Sequence, residues 1–587
     1  MQRHDQAKIS PQPNTKLLTT SMTSILKFRY ILLFQLLAFF TLACNNKSGG
    51  TGQVKSDNAD NKTHQVAAMD STFIINYIKT VPEFQKHEKL VRLFYRDRDY
   101  RLAWFKNGEL VPQASKFKEV INNAKDEGLD PNDYKLKDFD KLYKAYQDEN
   151  DDAKRAQLQQ ELDIALTASY FHYGTDFYKG QANPKENKNG ISWKVKRNKI
   201  KLNKALQTIL KERESKYPYY EFAPLHPEYN GLRAALKKYR TLQQNGEWPK
   251  IESVKKLQVK DTSRQVGTIR KRLLMEFAPE KARTFQAQTD TVFDENLANL
   301  VKKFQTLNGV KADGIIGPET VKLLNIPIED RIDQLIINME RWRWIPKSFE
   351  EKYIFVNIPE YTMHVKEKGE EVLSMKVIVG KELNSTPIFS DKLEYVVFAP
   401  YWNVPKSIVE NEIKPNMLRN PNFLASQDME IIKGDRKNFQ RISPSSIDWP
   451  SVTQENFKYL VRQRPGPKNA LGLVKFLFPN TFNVYLHDTP FDKLFNQEQR
   501  GFSHGCIRLE KPAALAEYLL KDKPEWTPSA IRDAMNSKEE QWVVLKEKVP
   551  VYIVYFTSWV DDDGNVYFSK DLYGHDKDLK KEYFGEV

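Results

Sequence analysis

The amino-terminal half of the chain has the hydrophobic period of helices. Between residues 71 and 250, apolar positions recur every three or four residues, as in residues 162–171. This spacing places the apolar side chains on one face of a helix. Glycine and proline interrupt the pattern at residues 128–131 and 224–227, where we expect turns. The pattern predicts a helical scaffold domain over residues 71–250, in which the aromatic residues either pack between helices or line a carbohydrate groove.

A second, smaller unit is expected over residues 251–327. Helical spacing at residues 266–275 and 296–307 is followed by the turn pair Gly317-Pro318. A proline suits the first turn of a helix, so residues 319–324 should form a third one. We therefore predict a small three-helix domain.

From residue 328 to residue 587 the pattern changes to short segments rich in β-branched and aromatic residues. Three of these segments lie at residues 353–358, 362–365 and 374–380. Such segments, bounded by turns, indicate strands. We predict a β-sandwich-like domain here, which makes the whole chain a multidomain α+β protein.

Two parts of the β-rich domain carry their own predictions. Residues 401–467 contain several prolines, and we expect an insertion that covers one face of the sheet as a lid. In the tail, we expect C-terminal strands over residues 549–570. The pair Asp563-Gly564 is a strong hairpin signal and should join residues 551–556 to residues 566–568.

The beginning of the chain predicts export. Lys27 and Arg29 precede a largely apolar stretch at residues 31–43, which is the layout of a signal peptide over residues 1–43. The alternative, a membrane-spanning helix, is disfavoured because crossing a bilayer takes roughly 20 apolar residues.

The residues after the apolar stretch predict anchoring. Leu42-Ala43-Cys44 resembles a bacterial lipobox, whose cysteine carries lipid. Thr41 departs from the usual aliphatic residue, which leaves open an ordinary cleavage site just before Cys44. Residues 44–70 are polar enough to form a flexible tether. We expect a periplasmic protein held at a membrane through its lipid, with the outer membrane favoured.

Charge narrows the class of partner. The 587 residues carry a formal net charge of +14. This excess suits an anionic partner, which for an exported protein would be cell-wall polymer or lipid headgroups. A merely well-solvated surface is the alternative. No zinc-finger, RNA-binding or phosphate-loop motif supports nucleic acid as the partner.

The candidate chemistry centres on one of the two cysteines of the chain. Cys506 would have no disulfide partner if Cys44 carries lipid, and an unpaired thiol in an exported protein is a candidate nucleophile. A nearby imidazole can take the proton of a thiol. His487 ends an apolar segment, and the intervening residues are numerous enough to fold back and place Cys506 beside it. His487 is therefore the candidate base.

The neighbours of Cys506 suggest supporting roles. Gly505 permits close backbone approach, and N–H groups around Gly505 and Cys506 are candidates to stabilise an oxyanion. Arg508 suits a substrate carboxylate or raises the positive potential near the thiolate. The alternative for Arg508 is an ion pair with Glu510 or another acid.

These residues resemble a known family. His487 with Ser503-His504-Gly505-Cys506-Ile507-Arg508 resembles the active-site signature of the L,D-transpeptidases, also called YkuD-type domains. The similarity extends through Val379-Gly380-Lys381, Thr386-Pro387, Tyr401-Trp402-Asn403-Val404-Pro405, Pro465-Gly466-Pro467 and Tyr485-Leu486-His487-Asp488-Thr489-Pro490. The small unit resembles a peptidoglycan-binding module through Phe304-Gln305, Gly309-Val310, Asp313-Gly314 and Gly317-Pro318-Glu319-Thr320, although it could also merely position the next domain. Together these parts resemble the large, three-part periplasmic subfamily.

The resemblance implies an activity on peptidoglycan stem peptides. Cys506 would attack the third-residue carbonyl of a tetrapeptide stem, release D-alanine and form a thioester. A diaminopimelate amine of a neighbouring stem would resolve it into a 3→3 cross-link, with neither ATP nor metal. The family often orients its base through a backbone carbonyl, so Asp488 need not be catalytic.

The roles of several neighbours stay open under this resemblance. The subfamily often has a small residue at the position of His504. Tyr485, Trp402 and Ser503 are candidates for the wall of the site, with ordinary packing as the alternative.

Rival functions remain. A zinc site built from His487, His504 and Cys506 is disfavoured because a catalytic zinc normally has three well-spaced protein ligands. An inactive wall-binding scaffold would lack the nucleophile and base that this sequence contains. An L,D-carboxypeptidase or an enzyme that attaches a protein to the wall would differ in the acceptor alone.

Overall fold

The computed structural model describes five ranges of the chain, all within one unit that spans Gln65–Val587: residues 69–184, 193–195, 200–211, 226–434 and 438–585. The predicted signal peptide, Cys44 and nearly all of the predicted tether lie outside these ranges. Among the helices in these ranges, none combines the length and apolar character needed to cross a membrane.

The scaffold region is helical, as its period predicts. Its longest helix carries a continuous run of buried side chains from Leu162 to Gly174. The aromatic side chains of this region fill the core; Tyr95, Trp104, Tyr170 and Phe171 are each at most 1% exposed. The packing alternative therefore holds for these aromatics. The elements are α1 (Ser71–Thr80), α2 (Pro82–Gln85), α3 (Glu88–Arg96), β1 (Phe105–Lys106), β2 (Glu109–Leu110), α4 (Pro112–Asn122), α5 (Leu136–Asp148), α6 (Asp152–Lys179), β3 (Trp193–Lys194), α7 (Leu202–Lys211) and α8 (Pro227–Gln244).

The small second unit forms helices at the three predicted places and adds one short helix. Its elements are α9 (Gln265–Phe277), α10 (Pro279–Thr284), α11 (Glu295–Leu307) and α12 (Pro318–Leu324). The Gln305 amide fixes the turn after α11, since it donates to the Ile315 carbonyl at 2.8 Å and accepts from the Gly314 N–H at 2.8 Å. The helix α13 (Ile328–Arg343) then leads into the β-rich domain, with nearly every side chain from Leu335 onward buried.

The β-rich half of the chain is built on a closed sheet. The strands β12, β13, β15, β6, β5, β4, β16 and β7 are neighbours in that order, and β7 pairs back with β12. The predicted β-rich domain is confirmed. Its main sheet also closes on itself to form a barrel, a feature that the predicted sandwich-like arrangement did not include. Scaffold strand β3 joins β7, and β14 pairs with β6. The strands are β4 (Lys352–Asn357), β5 (Thr362–Glu367), β6 (Glu370–Gly380), β7 (Ile388–Phe398), β8 (Trp402–Asn403), β9 (Met429–Gly434), β10 (Phe439–Ile442), β11 (Leu460–Gln463), β12 (Val474–Leu477), β13 (Leu486–His487), β14 (Gly501–Ser503), β15 (Ile507–Leu509), β16 (Gln541–Val554), β17 (Ser558–Val560) and β18 (Val566–Phe568).

The tail differs from its predicted pairing. The Asp563-Gly564 turn joins β17 to β18, whereas β16 runs through the barrel between β4 and β7. The chain leaves the barrel at Thr557, whose N–H donates to Asn338 Oδ1 of α13 at 2.9 Å. This contact ends the long strand before the hairpin begins. The helices of this half are α14 (Lys406–Ile408), α15 (Lys414–Arg419), α16 (Phe423–Ser426), α17 (Pro512–Leu520), α18 (Pro528–Met535) and α19 (His575–Phe584).

The predicted insertion is a small folded layer. Its strands form a separate sheet in the order β10, β9, β11, β8. It has its own apolar core, which includes Val409, Ile413, Trp449 and Val461. A π-helical turn, Val409–Ile413, lies between α14 and α15. The insertion therefore has an internal structure that can hold a side chain in place beside the barrel.

Candidate active site

His487 is buried at the end of a strand, and its ring is oriented by a backbone carbonyl. The residue ends β13 and is 4% exposed. Its Nδ1 donates to the backbone carbonyl of Asp488 at 2.5 Å. Because a carbonyl can only accept, this contact favours the neutral tautomer that carries its proton on Nδ1. The Asp488 carboxylate instead accepts from the N–H groups of Leu473 and Thr489.

Residues 503–506, which we call the nucleophile loop after the predicted role of Cys506, are shaped by local hydrogen bonds. The Ser503 hydroxyl donates to the Cys506 carbonyl at 2.5 Å and accepts from the Gly505 N–H at 3.1 Å. Gly505 has a φ of +112°, a conformation that favours glycine. Thr386 Oγ1 donates to the Gly505 carbonyl at 2.9 Å and so ties the loop to the barrel. The loop is held by these bonds and presents Cys506 immediately before β15.

Strand register brings the thiol and the imidazole to one face. β13 and β15 are parallel, with Leu486 paired to Ile507 and His487 paired to Arg508. Leu486 and Ile507 point into the core, so His487 and Cys506 belong to the opposite face. One strand spacing and two residues of offset separate their Cα atoms by about 8 Å, a distance that two facing side chains can bridge.

Tyr485 contacts both members of this pair. Its ring centroid lies 5.7 Å from that of His487. Burial raises the pKa of the Tyr485 hydroxyl, and the nearby Cys506 side chain adds to the rise. The thiol also faces the Asn483 carbonyl at 3.9 Å. Tyr485 therefore remains a protonated donor beside the sulfur, which fits its predicted place in the wall of the site.

The electrostatics favour an uncharged resting pair. Burial raises the pKa of the Cys506 thiol, while the Tyr485 contacts and the Arg508 cation oppose the rise. Burial also lowers the pKa of His487 to about 3; the Arg508 cation adds to the fall, and the backbone carbonyls of Asp488 and Leu471 oppose it. At neutral pH the site thus holds a thiol and a neutral imidazole, which suits proton transfer during attack.

Among the residues that the structure describes, Arg508 forms no ion pair with an acidic side chain. Glu510, its predicted alternative partner, instead pairs with Lys376 at 3.9 Å. Within the described residues the buried Arg508 Nε has no hydrogen-bond partner. Its guanidinium lies 6.0 Å from the centre of the Phe491 ring. The cation beside Cys506 is therefore available to a carboxylate.

His504 turns away from the pair. Its Nε2 lies 2.8 Å from the Glu412 carboxylate, on the π-helical turn of the insertion. The described residues contain no group of three or more histidine, cysteine or acidic side chains arranged to hold a metal ion. The contact gives His504 a place in joining the nucleophile loop to the insertion.

Two other predicted residues have structural partners. Trp402 pairs with Gln463 in the insertion sheet and packs against the insertion core, as its packing alternative predicts. The Gly505 N–H is occupied by Ser503, so the predicted oxyanion role of Gly505 is not open in this conformation. The Cys506 N–H has no acceptor among the described residues and is therefore a free backbone donor beside the sulfur.

Sequence reasoning missed three supporting residues. Thr386 Oγ1 accepts from the Gly380 N–H at 2.8 Å, and Tyr573 Oη donates to the Gly380 carbonyl at 2.7 Å. Thr386 lies within a matched motif, which was an available signal. Glu412 and Tyr573 had none, because their positions depend on chain segments far from the loop.

Three family descriptions match successive parts of the chain. Residues 89–236 match a family described as "Scaffold domain" and residues 280–324 one described as "Putative peptidoglycan binding domain". Residues 351–552 match the YkuD family, described as "L,D-transpeptidase catalytic domain". This last match contains both His487 and the nucleophile loop.

Individual proteins are also similar to this chain. A Haemophilus influenzae protein described as "Putative L,D-transpeptidase" is 36% identical over 252 residues, which are 43% of this chain and 50% of the relative. The chain thus spans half the length of that curated relative.

Two solved structures have low similarity. An L,D-transpeptidase from Mycobacterium smegmatis is 15% identical with a TM-score of 0.18, covering 35% of this chain and 58% of that one. One from Stackebrandtia nassauensis is 15% identical with a TM-score of 0.19, covering 52% and 96%. At these TM-scores the two structures carry no argument. On the family matches, the chain contains a YkuD-type L,D-transpeptidase catalytic domain together with a scaffold domain and a peptidoglycan-binding domain.

Proposed function

We propose that the protein is a cysteine L,D-transpeptidase of peptidoglycan. The observation that carries the proposal is the placement of Cys506, Tyr485 and His487 on one face of adjoining parallel strands. This arrangement lies inside the matched catalytic domain. It supplies a nucleophile, a donor beside the sulfur and an oriented base.

The first step forms a thioester. As the sulfur of Cys506 attacks the third-residue carbonyl of a tetrapeptide stem, His487 Nε2 takes the thiol proton. The amide bond to the terminal D-alanine breaks, and the imidazolium returns that proton to the leaving amine. The Cys506 N–H supports the oxyanion, and Arg508 pairs with a stem carboxylate.

The second step consumes the thioester. The side-chain amine of diaminopimelate on a neighbouring stem attacks the carbonyl, and His487 takes a proton from that amine. The carbon–sulfur bond then breaks, the thiolate recovers a proton and a 3→3 cross-link is left. The energy of the amide bond is carried through the thioester, so the reaction as written uses neither ATP nor metal.

The group that accepts the acyl chain distinguishes a transpeptidase from an L,D-carboxypeptidase or an attachment enzyme. The test is incubation of the purified chain with defined tetrapeptide-bearing muropeptides, followed by mass spectrometry of the products. A 3→3 dimer that is absent with Cys506→Ala supports the transpeptidase. Tripeptide without dimer identifies an L,D-carboxypeptidase, and transfer to a protein lysine identifies an attachment enzyme. Binding without turnover identifies a wall-binding scaffold.

We propose further that the protein works at a membrane of the periplasm. The support is the run from Lys27 to Cys44, which has the layout of a lipoprotein signal. Membrane fractionation of cells expressing Cys44→Ser tests this proposal. Release of the variant into the soluble fraction is expected, and unchanged association with the membrane would contradict lipid anchoring.

A further inference from the structure

A large groove lies between the peptidoglycan-binding domain and the catalytic half of the chain. It has a volume of about 650 Å³, within the range of sites that enclose drug-sized ligands. One wall comes from residues 306–310 and 319–326, which overlap the matched peptidoglycan-binding residues. Another wall comes from residues 498–500, 559, 567–571, 576 and 580. We call this site the junction groove.

The wall contributed by the tail carries an aromatic platform. Trp559 and Tyr567 are paired across β17 and β18, and their rings stack at 5.3 Å with planes 3° apart. Both line the groove and both are partly exposed. Sugar rings have apolar C–H faces, and a partly exposed aromatic plane offers them a matching surface.

The charges around the groove nearly cancel. Its lining includes six acidic side chains, Glu319, Asp330, Glu360, Glu498, Asp571 and Asp576, and five basic ones, Lys322, Arg331, Arg500, Lys570 and Lys580. Some are already paired, since Lys580 contacts Asp330 at 3.1 Å. This balance differs from the net charge of +14 over the chain. The groove therefore favours an uncharged polar ligand over an anionic polymer or a lipid headgroup.

The groove is joined to the nucleophile loop. Arg500, in its wall, immediately precedes β14, which leads to Ser503 and Cys506. Six residues of chain span at most about 20 Å, and a stem peptide of three to four residues spans about 10–14 Å. Arg500 therefore lies within about 20 Å of Cys506, a separation of the same order as the length of one stem.

We infer that the junction groove binds the glycan strand of peptidoglycan, with Trp559 and Tyr567 as the stacking platform. The site includes residues well outside the matched peptidoglycan-binding segment, so neither domain forms it alone. The inference rests on the proposed function for its choice of polymer. It adds that the sugar backbone, and not the stem peptide, is what the groove recognises.

The test is calorimetric titration of the Cys506→Ala chain with a peptide-free tetrasaccharide of alternating N-acetylglucosamine and N-acetylmuramic acid, whose lactyl carboxyl groups are capped as simple amides so that the probe is uncharged. Binding is expected, and Trp559→Ala should weaken it about tenfold or more. Trp542→Ala is the matched control, because Trp542 is an exposed tryptophan that does not line the groove. It should bind as the parent does.

A second variant covers the case in which Trp559→Ala disturbs the hairpin. Gln499 is exposed on the same side of the groove, and Gln499→Ala should weaken binding severalfold without touching β17 or β18. Absence of binding by the parent chain overturns the inference. It is equally overturned if both groove variants bind like Trp542→Ala, or if a free stem peptide displaces the sugar.

The tetrasaccharide has no stem, and the thioester reaction can be run on a stem without sugar. Failure of the glycan titration and failure of the proposed reaction are therefore separate results.

Discussion

The barrel strand that carries His487 and the loop that carries His504 hold the same ring in opposite ways. His487 is 4% exposed and donates to a backbone carbonyl, whereas the His504 side chain is 39% exposed and faces the Glu412 carboxylate. A carbonyl orients an imidazole without adding a full negative charge, so the ring can stay neutral in a buried site. The comparison teaches that the partner of a histidine, more than its distance from Cys506 in sequence, decides which one can act as base.

The largest effect on activity should come from replacing His487, and replacing His504 in a separate variant gives the comparison. His487→Gln should lower the rate of thioester formation about 10²–10⁴-fold, because no group remains to take the thiol proton. His504→Gln should lower it less than tenfold. The measurement is the rate of Cys506 acylation with a tetrapeptide stem. Equal losses in the two variants would erase the distinction between the rings.

The pH dependence of thiol alkylation should show whether Cys506 and His487 are both uncharged at neutral pH. Burial raises the pKa of Cys506 and lowers that of His487 to about 3, so the thiolate forms mainly above the ordinary thiol range. The rate with iodoacetamide should rise about tenfold per pH unit from pH 6 to pH 8. A plateau across this range would show a preformed thiolate–imidazolium pair instead.

Replacing Arg508, which lies beside Cys506 in the barrel, should have the next largest effect on activity. Arg508→Gln removes a cation that lowers the pKa of Cys506, so its alkylation curve should move to higher pH. It should also lower kcat/KM for the tetrapeptide about 10–100-fold through loss of the charged contact with a carboxylate. Arg508→Lys is the matched control, and it should keep the alkylation curve near that of the parent. An unchanged curve in Arg508→Gln would contradict the proximity of this cation to the sulfur.

The smallest effect should come from the contact between the loop and the insertion. Glu412→Gln keeps the shape of the side chain but removes the charge that faces His504 at 2.8 Å. Partly exposed ion pairs contribute about 0.2–1 kcal/mol, so acylation should change no more than about fivefold. Glu410→Gln, on the same π-helical turn, is the matched control in the same assay. If Glu412→Gln lowered the acylation rate as much as His487→Gln does, the contact between Glu412 and His504 would take part in the reaction.

The sequence predicted the elements whose period is local. The helices α6, α9 and α11 and the strands β4 to β6 follow directly from apolar spacing of 3.6 or 2 residues. The choice of Cys506 and His487 as candidate nucleophile and base also came from residue type, because few side chains can serve in these roles, and it stays a prediction. These features depend on residue type and short-range order.

Long-range register was beyond such reasoning. The pairing of β7 with β12, which closes the barrel, joins segments about eighty residues apart. The parallel pairing of β13 with β15 places Cys506 on the same face of the sheet as His487. Glu412 meets His504 across 504 − 412 = 92 positions. The tail hairpin was misplaced because a contact from Thr557 to α13, invisible in the local pattern, ends β16.

The central claim is that the sulfur of Cys506 carries the acyl group. The most direct test is the intact mass of the chain seconds after mixing with a tetrapeptide stem, followed by mapping of the modified peptide. The account predicts a mass increase equal to the tripeptide acyl group, located on Cys506 and labile to hydroxylamine. Release of D-alanine without any adduct on Cys506 would contradict it.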